Sequence, residues 1–258
     1  MRAALADSLH LLMRHERRFL HQSVWLVIAL ATPALWMLLN SELFERIVDL
    51  PGFGDTSYAA FVAPGAAVLL GAAGSIWLGT VMIDDLDRGV IDRLLTTSAA
   101  RVSVILSQLM HAGVVASLQA IVTLTMAALL NAPVAGGAVG WVGVVGVTAL
   151  VATGFAALSH AVGLTVRREE TLSAILNFVA LPMTLLSSAL IAQSLMPEWM
   201  RTLANLNPLE WGVRAARQLA RASPDWGTAA NYVGLLAAFV VASSALATWT
   251  LERYRRTL

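Results

Sequence analysis

Residues 172–221 read LSAILNFVALPMTLLSSALIAQSLMPEWMRTLANLNPLEWGVRAARQLAR. An apolar run of membrane length ends at Met196-Pro197. An amphipathic, Trp- and Arg-containing segment follows and is interrupted at Asn207-Pro208. A further apolar run then extends from about Tyr232 to Leu251. A soluble core helix has no need of this order. It reads as a span, an interfacial excursion that does not cross, and a return span.

Composition agrees with that reading. Of the 258 residues, 58% are hydrophobic and 13% charged, with a mean hydropathy of +0.72. Soluble domains carry about a quarter charged residues, so the chain belongs among membrane proteins. It has no cysteine, which excludes disulfides and thiolate metal sites. The net charge of +1 gives no drive towards nucleic acid. All 17 basic residues are arginine. A P-loop needs a lysine to reach nucleotide phosphates, so no standard ATP site is expected on this chain.

Six apolar stretches approach the ~20 residues a span requires. They run over about 23–39, 58–83, 102–130, 139–166, 172–195 and 228–251. An all-α membrane protein of six transmembrane helices, forming one domain over 1–258, is the expected fold. Arginine placement sets the orientation. With both termini in the cytoplasm, 12 of the 17 arginines fall inside, leaving Arg46, Arg201, Arg214, Arg217 and Arg221 outside. Ala63, Ala67, Gly71, Ser75 and Gly79 recur every four residues on the second span. Small residues so spaced let helix backbones approach closely in lipid.

Three segments outside the spans carry further pattern. Residues 1–22 place Leu5, Leu9, Leu12, Glu16 and Phe19 at helical spacing, with His15, Arg14, Arg17 and Arg18 on other faces. An amphipathic helix at the cytoplasmic surface is expected, either anchoring to lipid or docking a soluble partner. Residues 84–98 set Asp84, Asp85, Asp87, Arg88, Asp92 and Arg93 beside the apolar Ile91, Leu94 and Leu95. This predicts a short cytoplasmic helix with a charged side open to a partner. The aspartates lack the ligand spacing and glycine of a calcium loop, so no metal is assigned. In 196–226, Trp199, Trp211 and Trp226 suit a membrane interface, and arginines there can snorkel to headgroups. The break at Asn207-Pro208 suits a re-entrant corner, because the residue before proline disfavours helix.

Enzyme signatures are missing. His15-Glu16 starts like a zinc-protease motif, but position 19 is Phe. There is no GxSxG serine elbow. No Asp or Glu falls inside an expected span, so the carboxylate relay of a proton-driven pump has no candidate. His111 lies about ten residues into the third span, and His160 nearer the cytoplasmic end of the fourth.

In order and spacing these parts resemble a permease subunit of the type-2 ABC exporter family, and within it the daunorubicin-resistance-type drug exporters. The resemblance rests on Asp87-Arg88-Gly89 to Leu95, Asn177-Phe178 through Pro182, Ser187-Ser188, Met196-Pro197-Glu198-Trp199 and Asn205-Leu206-Asn207-Pro208-Leu209. Tyr58 to Gly65, the Pro-Gly entry to the second span, also matches. The family often has Ser-Gly at Ser187-Ser188, and a proline after threonine where this chain has Thr97-Ser98-Ala99.

The resemblance implies an interface helix over 1–22, a coupling helix over 84–98, and external re-entrant helices over 196–226 marked by Trp199, Asn207, Pro208 and Trp211. Asp84, Asp85, Asp87, Arg88, Asp92 and Arg93, with Glu16 and Arg17, become candidate contacts to a partner ATPase. That partner would hold the ATP and Mg; this chain would bind no cofactor and catalyse nothing itself. A second permease copy or homologue and membrane lipid complete the implied partners, in a bacterial cytoplasmic membrane. Trp36, Trp77, His111, Asn177 and Met183 are candidates for the substrate path. With few charges in the spans, the path suits an amphipathic drug or a lipid-like cargo moved outward by alternating access. A permease for a polysaccharide or glycolipid, and a stand-alone transporter or immunity protein without an ATPase, are the alternatives.

Overall fold

The structure is a computed structural model that describes residues 12, 13, 16, 23–46, 57–90 and 101–255. Among them the chain forms nine α-helices and one 3-10 turn, with no strand. In chain order they are α1 (Ser23–Leu43), α2 (Tyr58–Ser75), α3 (Leu78–Asp87), α4 (Arg101–Leu129), α5 (Gly137–Val166), α6 (Glu169–Leu185), α7 (Glu198–Ala204), α8 (Pro208–Leu219) and α9 (Trp226–Arg255). The 3-10 turn, Gln193–Leu195, lies between α6 and α7.

Among the described residues five stretches are long and apolar enough to cross a membrane: Leu26–Leu43, Tyr58–Asp87, Ser103–Leu129, Gly137–Val166 and Trp226–Tyr254. The expected fifth span, 172–195, is instead a helix of 17 residues that stops at Leu185. At 1.5 Å per residue it covers about 26 Å, short of a ~30 Å hydrocarbon core. The apolar sequence beyond it continues as irregular chain, so among the described residues five of the six expected spans are helices of that length.

Helices α2 and α5 form the centre, and small residues set how closely they approach. Val62, Ala66, Ala67 and Val68 of α2 are fully buried, as are Val144, Val151 and Ala152 of α5. A Cβ on Gly163 would come within 2.8 Å of the Gly79 carbonyl oxygen, so here the chains pack backbone to backbone. Dispersion packing of this kind is what holds helices together in lipid, where apolar burial supplies no drive.

The second span is broken at Ile76-Trp77, which sequence periodicity does not announce. A break there frees backbone polar groups deep in the bundle, and each must find a partner. Ser159 of α5 supplies two. Its hydroxyl donates to the Ile76 carbonyl and accepts from the Gly79 N–H at 3.0 Å. Thr80 closes a further carbonyl, its Oγ1 donating to Trp77 O at 2.7 Å.

The helix ends also have local causes. Helix α3 stops at Asp87, and Gly89 follows at φ +62, its N–H donating to Leu86 O at 2.9 Å. That left-handed position favours glycine, which explains the Asp87-Arg88-Gly89 run. Helix α4 ends with Asn131 at φ 59. The N–H of Asn131 donates to Ala128 O and that of Ala132 to Ala127 O, a Schellman pair followed by Pro133.

Candidate functional site

A cavity of about 580 Å³ lies between α1, the α2–α3 break and α4. Ile28, Trp77 and Val81 stand at its rim, 49%, 41% and 46% exposed on the outside of the bundle. It is therefore open sideways rather than along the bundle axis. Gly74 and Val115 also line it, and Gly71, whose Cβ would come within 2.5 Å of Thr148 Cγ2, lets α2 pack closely on α5 beside it. Polar groups are few. Gln119 donates from Nε2 to the Ala29 carbonyl at 3.3 Å, tying α4 to α1, and His111 stands at the other end. Pockets of this size and lining hold drug-sized apolar ligands.

His111 has an unexpected neighbour. Its Nδ1 is 2.7 Å from a carboxylate oxygen of Glu16, with both side chains largely covered. The structure thus brings together one residue expected on the substrate path and one expected at the cytoplasmic surface. Trp77 lines the same cavity. Trp36 is half-buried on α1, packed against the central core. Asn177 and Met183 lie on α6, away from the cavity. Asn177 is exposed and donates to Ser173 O at 2.9 Å. Met183 borders a separate space of about 50 Å³ with Leu69, Phe155 and Leu209.

At the end of α3, Arg88 pairs with Asp84 at 2.8 Å, and Asp85 accepts from Gln108 Nε2 at 3.4 Å. Asp87 and Arg88 are exposed. Arg17, Asp92 and Arg93, most of the interface helix over 1–22, and the rest of the coupling segment up to 98 fall outside the described residues.

The segment 196–226 holds the feature that the sequence reading missed. Helix α8 starts at Pro208, where a missing N–H costs nothing. Asn207 ties two helix ends together. Its Oδ1 accepts from Leu209 N at 3.0 Å, and its Nδ2 donates to Met183 O at 2.7 Å at the end of α6. Trp211 donates from Nε1 to Asn205 O at 2.7 Å, while Trp199 is exposed.

One turn further on, Glu210 is fully buried. Its carboxylate accepts from Arg214 Nε at 2.7 Å, from Ser188 N at 2.6 Å and from the Ser187 hydroxyl at 3.4 Å. Arg214 also donates to the Tyr232 hydroxyl at 2.9 Å, reaching α9. Arg217 donates to Ser188 Oγ at 2.9 Å, to Ser188 O, and to Ala189 O at 3.1 Å, and stacks 4.0 Å over the Phe61 ring. Burial lowers the Arg217 pKa to about 10, against the pull of Glu210 and Tyr58, so it remains a cation at neutral pH. Arg214 and Arg217 therefore turn inward and clasp the chain after α6 instead of snorkelling outward. The i, i+4, i+7 spacing of Glu210, Arg214 and Arg217 on one helix face was the available signal.

Among the described residues no cluster of metal-ligating side chains occurs. The ABC-2 type transporter signature matches residues 8–220. The ycf38 protein of Pyropia yezoensis, named as a transport permease, is 28% identical over 203 residues, covering 78% of this chain and 69% of its own. The daunorubicin resistance ABC transporter permease protein DrrB1 of Streptomyces coeruleorubidus is 27% identical over 221 residues, covering 84% of this chain and 75% of its own. A multi-pass helical bundle whose family signature spans most of its length has one placement: the chain belongs to the ABC-2 type transporter family.

Proposed function

We propose that this chain is the membrane subunit of an ATP-driven exporter that moves amphipathic, drug-like or lipid-like molecules by alternating access. The observation that carries the proposal is the 580 Å³ lateral cavity, apolar at Ile28, Trp77, Val81 and Val115 and open on the side of the bundle. A molecule already dissolved in the bilayer can enter there without crossing water. A polysaccharide would need many hydrogen-bonding partners, and His111, Gln119, Ser75 and Thr80 are too few for that.

ATP and Mg belong on an ABC ATPase partner, because this chain has no lysine to build a P-loop. The ATPase docks at the exposed end of α3 and the segment after it, with Asp87 and Arg88 among its contacts. The apolar outer faces of α1 and α6, including Leu35, Leu39, Phe178 and Leu181, suit a second permease copy. Both termini lie in the bacterial cytoplasm in this reading, which the arginine bias favours and which requires α6 with the apolar chain after it to complete a sixth crossing.

The experiment is co-purification from mild detergent out of cells expressing the neighbouring genes, followed by ATP turnover with and without added amphiphiles. A co-purifying ATPase whose vanadate-sensitive turnover rises with an amphiphile supports the proposal. A chain that purifies alone and moves cargo without ATP would refute it.

A further inference from the structure

A second cavity, about 350 Å³, opens where the start of α2, the α4–α5 turn and the end of α8 meet. Its walls are apolar at Ala60, Phe61, Pro133 and Val134 and cationic at Arg217 and Arg221. No carboxylate is among the described residues that line it.

Among the described residues neither cation forms an ion pair with a carboxylate, and Glu210 acts on Arg217 only through space. Arg217 bonds to Ser188 Oγ and to the carbonyls of Ser188 and Ala189, all neutral, and its buried Nε has no partner among the described residues. Arg221 is exposed and takes part in none of the ion pairs among the described residues. The two carboxylates between α7 and α9 are engaged elsewhere: Glu210 holds Arg214 and Ser188, and Asp225 holds Thr228. Glu210 is thus shared between Arg214, which it bonds, and Arg217, which it only attracts. Arg221 lies two residues past the end of α8, so it and Arg217 come together at the cavity rather than on one helix face. The C-terminal end of α8 makes cations tolerable there. It does not account for an apolar space beside them.

Depth indicates the anion's source. Helix α5 has 30 residues and begins at this end of the bundle. At 1.5 Å per residue it runs about 45 Å, well beyond a ~30 Å hydrocarbon core, so its ends stand at headgroup level. We propose that this cavity binds an anionic membrane lipid, with Arg217 and Arg221 taking the phosphate and the apolar wall at Ala60, Phe61 and Val134 taking the start of an acyl chain. Guanidinium is suited to the phosphate, and the proline- and alanine-rich wall to the chain.

The test uses the full-length chain, purified and exposed to equal amounts of phosphatidylglycerol and phosphatidylcholine, with retained lipid read by native mass spectrometry. One phosphatidylglycerol should be held in preference. Arg221→Gln should lower that preference roughly tenfold, the loss of one charge-assisted bond. Ala60→Leu, which fills the cavity without altering charge, should reduce retention as well. Arg201→Gln, an exposed arginine on α7, should change nothing. Equal retention of both lipids, or equal behaviour of Arg221→Gln and Arg201→Gln, would overturn the proposal. Displacement of the lipid by millimolar inorganic phosphate would assign the site to a soluble anion and overturn the lipid.

Discussion

Replacing Glu210 with alanine removes the carboxylate that three groups share. Arg214 loses its partner at 2.7 Å, Ser188 N–H its acceptor at 2.6 Å, and the Ser187 hydroxyl its partner at 3.4 Å. Because Glu210 is fully buried and the Arg214 side chain is 19% exposed, water restores little. Breaking a buried ion pair by deleting one partner costs about 3–5 kcal/mol. For a chain of this size each kcal/mol lowers the melting temperature by roughly 2–4 °C, so a fall of about 10 °C is expected. The assay is thermal unfolding in one detergent, followed by intrinsic tryptophan fluorescence, with Trp211 adjacent to the substituted residue. Glu210→Gln keeps an acceptor for Ser188 N–H but loses the charge, and should fall between the alanine variant and the parent. An alanine variant melting within about 2 °C of the parent would refute the idea that the clasp stabilises the α6–α8 junction.

Ser159→Ala leaves the Ile76 carbonyl and Gly79 N–H without their partner, at about 1–3 kcal/mol each if no water enters; unfolding in detergent should show it, and a neutral result would mean the break holds itself. Gly89→Ala forces a side chain onto a φ of +62 at a cost of about 1 kcal/mol, so it should disturb ATPase coupling more than melting temperature, read as turnover against Tm. Hydrogen bonds from the Thr228 hydroxyl and N–H hold the Asp225 carboxyl below its ordinary value at the start of α9. A depressed folded-state value means the stabilisation is full above the unfolded pKa, near 4, and fades as pH drops through the folded value. The melting-temperature gap between the parent and Asp225→Ala should therefore be constant above about pH 4 and narrow below it.

Much of this architecture was legible because hydropathy over some twenty residues is a direct physical requirement of crossing lipid. The ends of α4, α5 and α9 follow from it within a few residues. The break at Ile76-Trp77 was not legible, since both sides are apolar and the groups that satisfy it sit on Ser159, 83 residues away. The early end of α6 was hidden for a similar reason. Residues 186–195 remain apolar, and hydropathy does not separate a helix from irregular chain covered by protein. Only Ser187-Ser188, which accept the clasp from α8, mark the change. Of the path candidates, Trp77 and His111 share the lateral cavity, while Asn177 and Met183 stay away from it on α6, which packs against α3 and α5. The clasp itself was readable as a helical face at Glu210, Arg214 and Arg217. Interfacial arginines next to tryptophans are ordinarily solvated by headgroups, and that expectation hid it.

The most direct measurement is ATP-dependent transport of a fluorescent amphiphile by the co-purified complex in sealed vesicles, comparing the parent with Val115→Trp. Val115 is half-buried on the cavity wall, so tryptophan fills the space without opening the core. The parent should transport only with ATP, and the variant should assemble and hydrolyse ATP while its transport collapses. Undiminished transport with the cavity filled, or transport that needs no ATPase, would contradict it.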